Sequence, residues 1–233
     1  MQNLEPLKQL LGYGADTPDA RLKEALTHRS YAVENQIAYD NQRLEFLGDA
    51  VLEIALSVHL FQKYPRADEG KLTRMRSVLV RESALAELAR HLHLGDYLLV
   101  GKGEKEVHGT CRISTLADLF EAVIGAAYLE VGSRETLAML VKLFDGILPA
   151  PDRLIDEVNP KGSLQEFAQA RWGEHPEYRL IQVSGPEHLP TFEVEVHLQN
   201  YVASGKATGR RAAESAAARE LLLMLQAEGV MQK

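Results

Sequence analysis

The order of apolar and polar positions along the chain predicts two regions of different character. Up to about residue 150, apolar residues recur with the period of an α-helix, and strand-like alternation is almost absent. Beyond that point the pattern predicts two helices and, between them, three strands, over residues 163–172, 178–183, 192–197, 201–206 and 210–227. In the middle strand Val194 and Val196 alternate with glutamates, which is typical of a half-buried strand. The sequence therefore predicts a multi-domain α+β protein, with an all-α domain followed by an α-β-β-β-α domain.

The boundary between the two regions is marked by Pro149 and Pro151, because each interrupts a helical pattern. We expect the first domain at residues 1–150, a linker at 151–158 and the second domain at 159–229. No apolar run approaches the roughly 20 residues that span a bilayer, and the beginning of the chain lacks the apolar stretch of a secretory signal. The single cysteine excludes an internal disulfide and a thiolate zinc cluster, and it favours a reducing, cytoplasmic setting.

The net charge of −7 argues, on its own, against a nucleic-acid binder, because such proteins are usually basic. The excess acid is unevenly distributed, however. Residues 1–158 contain 24 acidic and 18 basic side chains, whereas residues 159–233 contain 9 and 8. The acidic residues of the first region are therefore either solvated surface or part of a site.

One pair of carboxylates in the first region has the spacing of neighbours on a helix face. Asn41 is a candidate cap for a helix that runs to about Leu60, and on this helix Glu45 and Asp49 are four residues apart. Gly48 lies between them, lowers the helix propensity and predicts the close approach of another backbone or group. Taken alone, the pair is better explained as part of a solvated stripe.

A second pair, Asp118 and Glu121, lies three residues apart in a helix predicted over residues 116–129, which is apolar on nearly all sides. Ionised carboxylates in such surroundings need a cation or must take up a proton. Two helices that each present a carboxylate pair could enclose an ion between them. An all-oxygen ligand set favours Mg²⁺ or Mn²⁺ over zinc.

Four segments of the first region, residues 26–31, 41–52, 68–72 and 117–122, resemble in order and spacing those of the ribonuclease III family. The resemblance implies a helical endonuclease domain over residues 1–150 that dimerises. It implies an enzyme that cleaves both strands of double-stranded RNA, in the processing of ribosomal RNA and other structured transcripts. Products of such an enzyme carry 5′-phosphate and 3′-hydroxyl ends.

The resemblance also implies roles for individual side chains. The metal ligands would be Glu45, Asp49, Asp118 and Glu121, binding Mg²⁺, for which Mn²⁺ can substitute, and the catalytic residues would be Asp49 and Glu121. Gln42 stands where the family often has glutamate, and an amide cannot supply charge to a metal. Glu69 matches another acidic family position near the cleavage centre.

Phe46 has two interpretations. An aromatic residue at helical spacing usually belongs to the core of its own chain. The resemblance instead implies that Phe46 lies in the dimer interface, where it inserts into the partner subunit. A twofold dimer suits duplex cleavage because it presents one acidic site to each antiparallel strand.

The second region resembles a double-stranded RNA-binding domain in three short segments, residues 161–166, 184–188 and 209–214. Such domains contact 2′-hydroxyls and phosphates across about 16 base pairs. By the resemblance, Gln165 and Glu166 would meet one minor groove and His188 the next. The candidate phosphate contacts are Arg210 and Arg211, at the start of the last helix. Taken singly, the two arginines are better explained as solvated surface and His188 as an ordinary loop residue, but their order and spacing within one small domain favour RNA contact.

The combined features predict a cytoplasmic, homodimeric, Mg²⁺-dependent endoribonuclease that acts on double-stranded RNA, with no organic cofactor and no membrane partner. A non-catalytic duplex-RNA-binding protein on the same scaffold is the main alternative. The four carboxylates disfavour it, because a pure binder gains nothing from negative charge that faces phosphates. A helical metal-dependent phosphohydrolase of small molecules is a further alternative, and the RNA-binding region argues against it.

Overall fold

The computed structural model of the protein describes residues 3–14, 16–106, 109–186 and 188–231. The chain divides into two compact units, Met1–Ala150 and Pro151–Lys233. The helices described in the first unit are α1 (Glu5–Leu10), α2 (Ala20–Ala25), α3 (Arg29–Glu34), α4 (Gln42–Lys63), α5 (Glu69–Leu79), α6 (Glu82–His91), α7 (Leu94–Tyr97), α8 (Lys102–Glu106), α9 (Ile113–Glu130) and α10 (Ser133–Ile147). A single 3₁₀ turn at Gly109–Cys111 precedes α9. The predicted fold class, a helical unit followed by a sheet with helices, is confirmed.

Helices α4 and α9 form the centre of the first unit, and their backbones come into contact. A side chain at Gly48 would overlap the main-chain carbonyl of Glu121, and one at Gly125 would overlap the carbonyl of Leu44. Helix α9 is buried on most sides, as its apolar sequence predicts. The close approach predicted at Gly48 is therefore confirmed, and it brings the carboxylate-bearing parts of the two helices together.

The beginning of α4 differs from the prediction in one detail. Asn41 occupies the N-cap position, but its backbone has φ −78° and ψ −12°, and its side chain makes no cap hydrogen bond. In this helical conformation the side chain does not reach the free N–H groups as an extended cap residue does. Asp40 Oδ1 instead accepts a hydrogen bond of 3.1 Å from Gln42 N.

The second unit packs helices against one face of an antiparallel sheet. Its elements are α11 (Pro151–Val158), α12 (Pro160–Trp172), β1 (Glu177–Ser184), β2 (Thr191–Leu198), β3 (Tyr201–Ala207) and α13 (Arg210–Ala227), with strand order β1-β2-β3. The core contains Leu164 of α12, Val196 of β2 and Leu221 of α13. Gly205 of β3 lies against the backbone of α13, with no room for a side chain.

Residues 151–158, predicted as a linker, form helix α11 within the second unit. Pro151 stands at its first position, where the missing N–H costs nothing. Leu154 is buried, and Gln226 Nε2 of α13 donates to Asp156 Oδ2 at 3.3 Å. The non-helical connector is thus only residues 148–150, because contacts with α12 and α13 stabilise the helix after it. Among the helices in the described part of the chain, none is long and apolar enough to cross a bilayer.

Candidate functional site

Three of the four predicted metal ligands meet between α4 and α9. Oxygen atoms of Glu45, Asp118 and Glu121 all lie within 4.8 Å of one another, and each residue is half-buried. Asp49 lies one turn beyond Glu45 on α4, is exposed, and is not a member of this three-residue group. The contact of Gly48 with the Glu121 carbonyl explains why side chains from two helices come this close.

The surroundings of the three carboxyl groups in this cluster disfavour their ionised form. Burial, together with the charges of Asp49, Asp118 and Glu45, raises the pKa of Glu121 to about 8. Burial is also the main cause that raises the pKa of Asp118 and of Glu45. Like charges in a poorly solvated place favour a bound proton or a bound cation. The electrostatics therefore agree with the predicted cation site.

Two residues near the cluster were missed by the motif analysis. Glu82 begins α6, and its charge raises the pKa of both Asp118 and Glu121. His28 lies before α3 and acts in the opposite direction on Asp118, although burial dominates. Helical spacing could not have found them because they belong to other elements. The only signal for His28 was its position in the family-like segment 26–31.

A cleft of about 520 Å³ opens beside the cluster. Its lining residues are His28, Arg29, Ser30, Val33, Asn41, Gln42, Glu45 and Asp118. Gln42 thus borders the candidate site as an exposed, uncharged side chain. Glu69, in contrast, is exposed at the start of α5, where its Oε1 accepts a 3.1 Å hydrogen bond from Thr73 Oγ1, and it is not part of the three-carboxylate group.

Phe46 projects into solvent from α4 with 80% of its surface exposed. The interpretation of Phe46 as a core residue of its own chain is therefore wrong. Three further exposed apolar side chains follow it along the helix, Ile54, Val58 and Phe61. We call these four residues the α4 apolar stripe.

In the second unit, the predicted RNA contacts are all exposed. They are Gln165 and Glu166 on α12, His188 in the loop between β1 and β2, and Arg210 and Arg211 at the start of α13. Glu187, in the same loop segment as His188, lies outside the described residues.

Glu214 connects the starts of α12 and α13, a role that the sequence did not suggest. Its carboxylate accepts hydrogen bonds from Lys161 Nζ at 2.6 Å and from Arg210 Nε at 3.2 Å, and its side chain is only 12% exposed. The Lys161 ammonium also lies 4.5 Å from the centre of the Tyr178 ring. The hydrogen bond from Lys161 is the main cause that lowers the pKa of Glu214. This network holds two basic side chains side by side at one end of the unit.

Comparisons with known proteins agree with the division of the chain into a helical first unit and a second unit that contains the sheet. Residues 19–145 match the family model described as Ribonuclease-III-like, and residues 160–225 match the double-stranded RNA binding motif. The protein named Ribonuclease 3 from Leifsonia xyli subsp. xyli is 46% identical over 206 residues, which cover 88% of this chain and 86% of the relative. The Ribonuclease 3 of Nitratiruptor sp. is 40% identical over 230 residues, covering 97% and 99%. Among solved structures, the nuclease domain of ribonuclease III from Campylobacter jejuni is similar with a TM-score of 0.58 at 38% identity, covering 63% of this chain and 99% of that one.

Proposed function

The chain belongs to the ribonuclease III family and is an endoribonuclease for double-stranded RNA, and we propose that it hydrolyses RNA at a divalent-metal site formed by Glu45, Asp118 and Glu121. One observation carries the proposal: the carboxylate oxygens converge from two helices to within 4.8 Å of one another. Within the described part of the chain, no lysine or arginine lowers the pKa of any of the three. Mutually repelling carboxylates without a basic partner favour a cation.

The donor set fits Mg²⁺, because this small, hard ion prefers carboxylate oxygens and water, and Mn²⁺ is suited to the same ligands. A bound ion would supply activation of a water molecule and stabilisation of negative charge on the phosphate. Glu121 would keep a proton in the ion-free cleft and release it when the ligands bind a cation, since burial and the neighbouring charges raise its pKa to about 8.

Asp49 is assigned to the same site as a fourth carboxylate, and with Glu121 it forms the proposed catalytic pair. Its charge is the largest contribution from a neighbouring residue that raises the pKa of Glu121, although it lies outside the three-residue group. Hydrolysis would break the bond between phosphorus and the 3′-oxygen, so that the water oxygen stays on a 5′-phosphate and the other product ends in a 3′-hydroxyl.

The second unit is proposed to hold the duplex for the nuclease unit. Its exposed Gln165, Glu166 and His188 suit contacts to 2′-hydroxyls and minor grooves. Arg210 and Arg211 stand at the start of an 18-residue helix, where the helix dipole and free N–H groups favour phosphate. Binding would therefore depend on A-form shape and backbone charge more than on base sequence.

A homodimer is proposed as the working form, with the α4 apolar stripe in its interface. An exposed phenylalanine followed by three exposed apolar residues on one helix is unusual for a surface that stays in water. Two copies related by a twofold axis would offer one acidic cleft to each RNA strand. We infer a cytoplasmic setting, where ribosomal RNA precursors and structured mRNA are available as substrates.

The decisive experiment incubates the purified chain with long duplex RNA in Mg²⁺ and in EDTA, beside the Glu121→Gln variant. We expect cleavage of both strands in Mg²⁺ and none in EDTA. The variant should bind RNA as the wild type does and lose at least about a hundredfold in cleavage rate, because it removes a ligand carboxylate while keeping the side-chain shape. Labelling of the product ends with and without phosphatase treatment tests for the 5′-phosphate.

Glu135→Gln serves as the matched control, since this exposed glutamate of α10 lies outside the three-carboxylate cluster and is no candidate site residue. Wild-type cleavage by Glu121→Gln would contradict the metal assignment. RNA binding without cleavage by the wild type in either Mg²⁺ or Mn²⁺ would contradict the proposed reaction.

A further inference from the structure

His28 borders the acidic cleft from an element that carries none of the proposed metal ligands. It is the N-cap residue of α3, and its half-buried ring lines the cleft together with Gln42, Glu45 and Asp118. Burial and Glu82 raise the pKa of Asp118 and His28 lowers it, so the imidazole is close enough to Asp118 to act on it electrostatically. No hydrogen bond joins the ring to these carboxylates within the described residues.

The hydrogen bonds of the ring determine which of its two nitrogens is left as a donor. Ser30 N donates to His28 Nδ1 at 3.2 Å, and Ser30 Oγ lies 2.8 Å from the same nitrogen. Gly101 N donates to Ser30 Oγ at 2.9 Å, which leaves the hydroxyl proton directed at Nδ1. Because Nδ1 is an acceptor, a singly protonated ring carries its proton on Nε2. A doubly protonated ring also carries one there, so Nε2 is a donor in either state.

The backbone around His28 is held by a neighbouring segment, which limits the freedom of the ring. His28 N donates to Leu99 O at 3.0 Å, and Leu99 N donates to Leu26 O at 2.8 Å. A side chain at Gly101 would come within 3.0 Å of the Ser30 carbonyl, so the two segments are in close contact. A donor fixed in this way is oriented before a ligand arrives, which is what a recognition residue requires.

The substrate offers mainly acceptors, so its binding depends on the side chains of the cleft that can donate, which are His28, Arg29, Ser30, Asn41 and Gln42. Ionised carboxylates only accept hydrogen bonds, whereas an RNA backbone presents phosphate oxygens and 2′-hydroxyls. We propose that His28 Nε2–H donates a hydrogen bond to the sugar–phosphate backbone of the strand that enters the cleft, as a substrate-contact residue. This inference rests on the proposed function of the cleft.

The test separates the accepting role of His28 Nδ1 from the donating role of Nε2 by means of two substitutions. In His28→Asn the side-chain oxygen can still accept from Ser30 N, because asparagine is a good N-cap, but no donor reaches the Nε2 position. We expect kcat/KM for duplex cleavage to fall by about ten- to a hundredfold, the loss typical of a hydrogen bond to a charged group. The Tm and the Mg²⁺ concentration for half-maximal cleavage should not change.

His28→Gln is the rescue variant, because its amide nitrogen can occupy the Nε2 position. We expect its kcat/KM to lie between those of His28→Asn and the wild type. His93→Asn is the matched control. This histidine has a 79% exposed side chain and a left-handed backbone with φ 53°, which asparagine tolerates, so its kinetics should equal those of the wild type.

The outcomes separate this inference from the function on which it rests. If the wild type itself fails to cleave duplex RNA with Mg²⁺, the proposed function fails. If the wild type cleaves and His28→Asn cleaves equally fast, only the His28 contact is refuted. A lower Tm or a raised Mg²⁺ requirement in His28→Asn would assign the ring a structural role and overturn the substrate contact. A His28→Gln rate no higher than that of His28→Asn would do the same.

Discussion

Glu121 holds its carboxylate where both burial and neighbouring charge oppose ionisation. Its backbone carbonyl abuts Gly48 of the neighbouring helix, so the main chain of Glu121 cannot withdraw without separating α4 from α9. Burial and these charges raise the pKa of Glu121 to about 8, so we expect the ion-free protein to keep a proton on Glu121 at pH values below that. The same residue is thus a source of instability at high pH and the residue on which we propose that turnover depends.

The stability of the ion-free protein should therefore depend on pH through Glu121. Its pKa is about 8 in the folded protein and near 4.5 when unfolded, so the folded state binds the proton more tightly. The resulting stabilisation is complete below about pH 4.5 and is lost as the pH rises through 8. In EDTA, the Tm of the wild type should fall between pH 5 and pH 8.5 by more than the Tm of Glu121→Gln.

Scanning calorimetry of both chains in EDTA across this range measures the difference. Glu69→Gln, altered at an exposed glutamate outside the cluster, should follow the wild type. Added Mg²⁺ should restore the wild-type Tm at pH 8.5 and have little effect on Glu121→Gln. Parallel curves for wild type and Glu121→Gln would mean that Glu121 is not protonated in the folded, ion-free protein.

Spacing along the sequence predicted the cluster residues only when they share a helix. Glu45 with Asp49 and Asp118 with Glu121 are both within one turn, which the sequence shows directly. Glu82 and His28 reach the same place through tertiary packing, for which a periodicity gives no signal. The exposure of Phe46 was likewise undetermined by its helical position, because a residue can face its own core or a partner at the same spacing.

At the scale of elements, the local sequence pattern predicted helices and strands correctly where tertiary contacts stabilise the same structure. The strands of the second unit begin and end within one residue of their predicted limits, and α13 matches residues 210–227 fully. Helix α12 begins at Pro160, three residues earlier than predicted, because Asn159 caps it through Gly162 N. Helix α11 was missed because an eight-residue segment between prolines is not stable by itself and depends on packing against α12 and α13.

The start of α13 supports a prediction about salt. Arg210→Ala combined with Arg211→Ala should weaken duplex-RNA binding and reduce the slope of log K against log salt by nearly two, since each neutralised phosphate contributes slightly less than one. Electrophoretic or fluorescence titrations between low and moderate salt measure the slope. Arg171→Ala is the control, because this exposed arginine lies near the other end of α12 from Lys161.

An unchanged slope in the double variant would remove both arginines from the phosphate interface. Unfolding of the second unit would also weaken RNA binding, and it would be detected as a loss of the cooperative melting transition of that unit. We do not expect such unfolding, because both side chains are exposed and the core of the unit is formed by other residues.

At the scale of the whole molecule, the α4 apolar stripe is the feature that a single chain does not explain. Phe46→Asp should convert the proposed dimer to monomers at micromolar concentration, because a charge would have to be buried in an apolar interface. Sedimentation velocity measures the change, and cleavage of both strands should be lost with it. Leu10→Asp, at an exposed leucine of α1, is the control.

A Phe46→Asp chain that sediments as the wild-type dimer would contradict the assignment of this stripe to the interface. A wild type that is already monomeric at these concentrations would contradict the homodimer itself.

The net charge is informative at this scale too. The acid that appeared to oppose RNA binding is partly concentrated in the cleft, so the ion-free protein should repel its substrate there.

The glycine contacts between α4 and α9 have a consequence for how such a chain can vary. The separation of the ligand-bearing helices is determined by main chain meeting main chain at Gly48 and Gly125, and not by the volume of interlocking side chains. Substitutions elsewhere in this interior can therefore add or remove stability while the ligand spacing stays nearly constant. The stability of such a chain can therefore adapt to heat or cold largely without a change in the ligand spacing that the reaction needs, except through substitutions at Gly48 and Gly125.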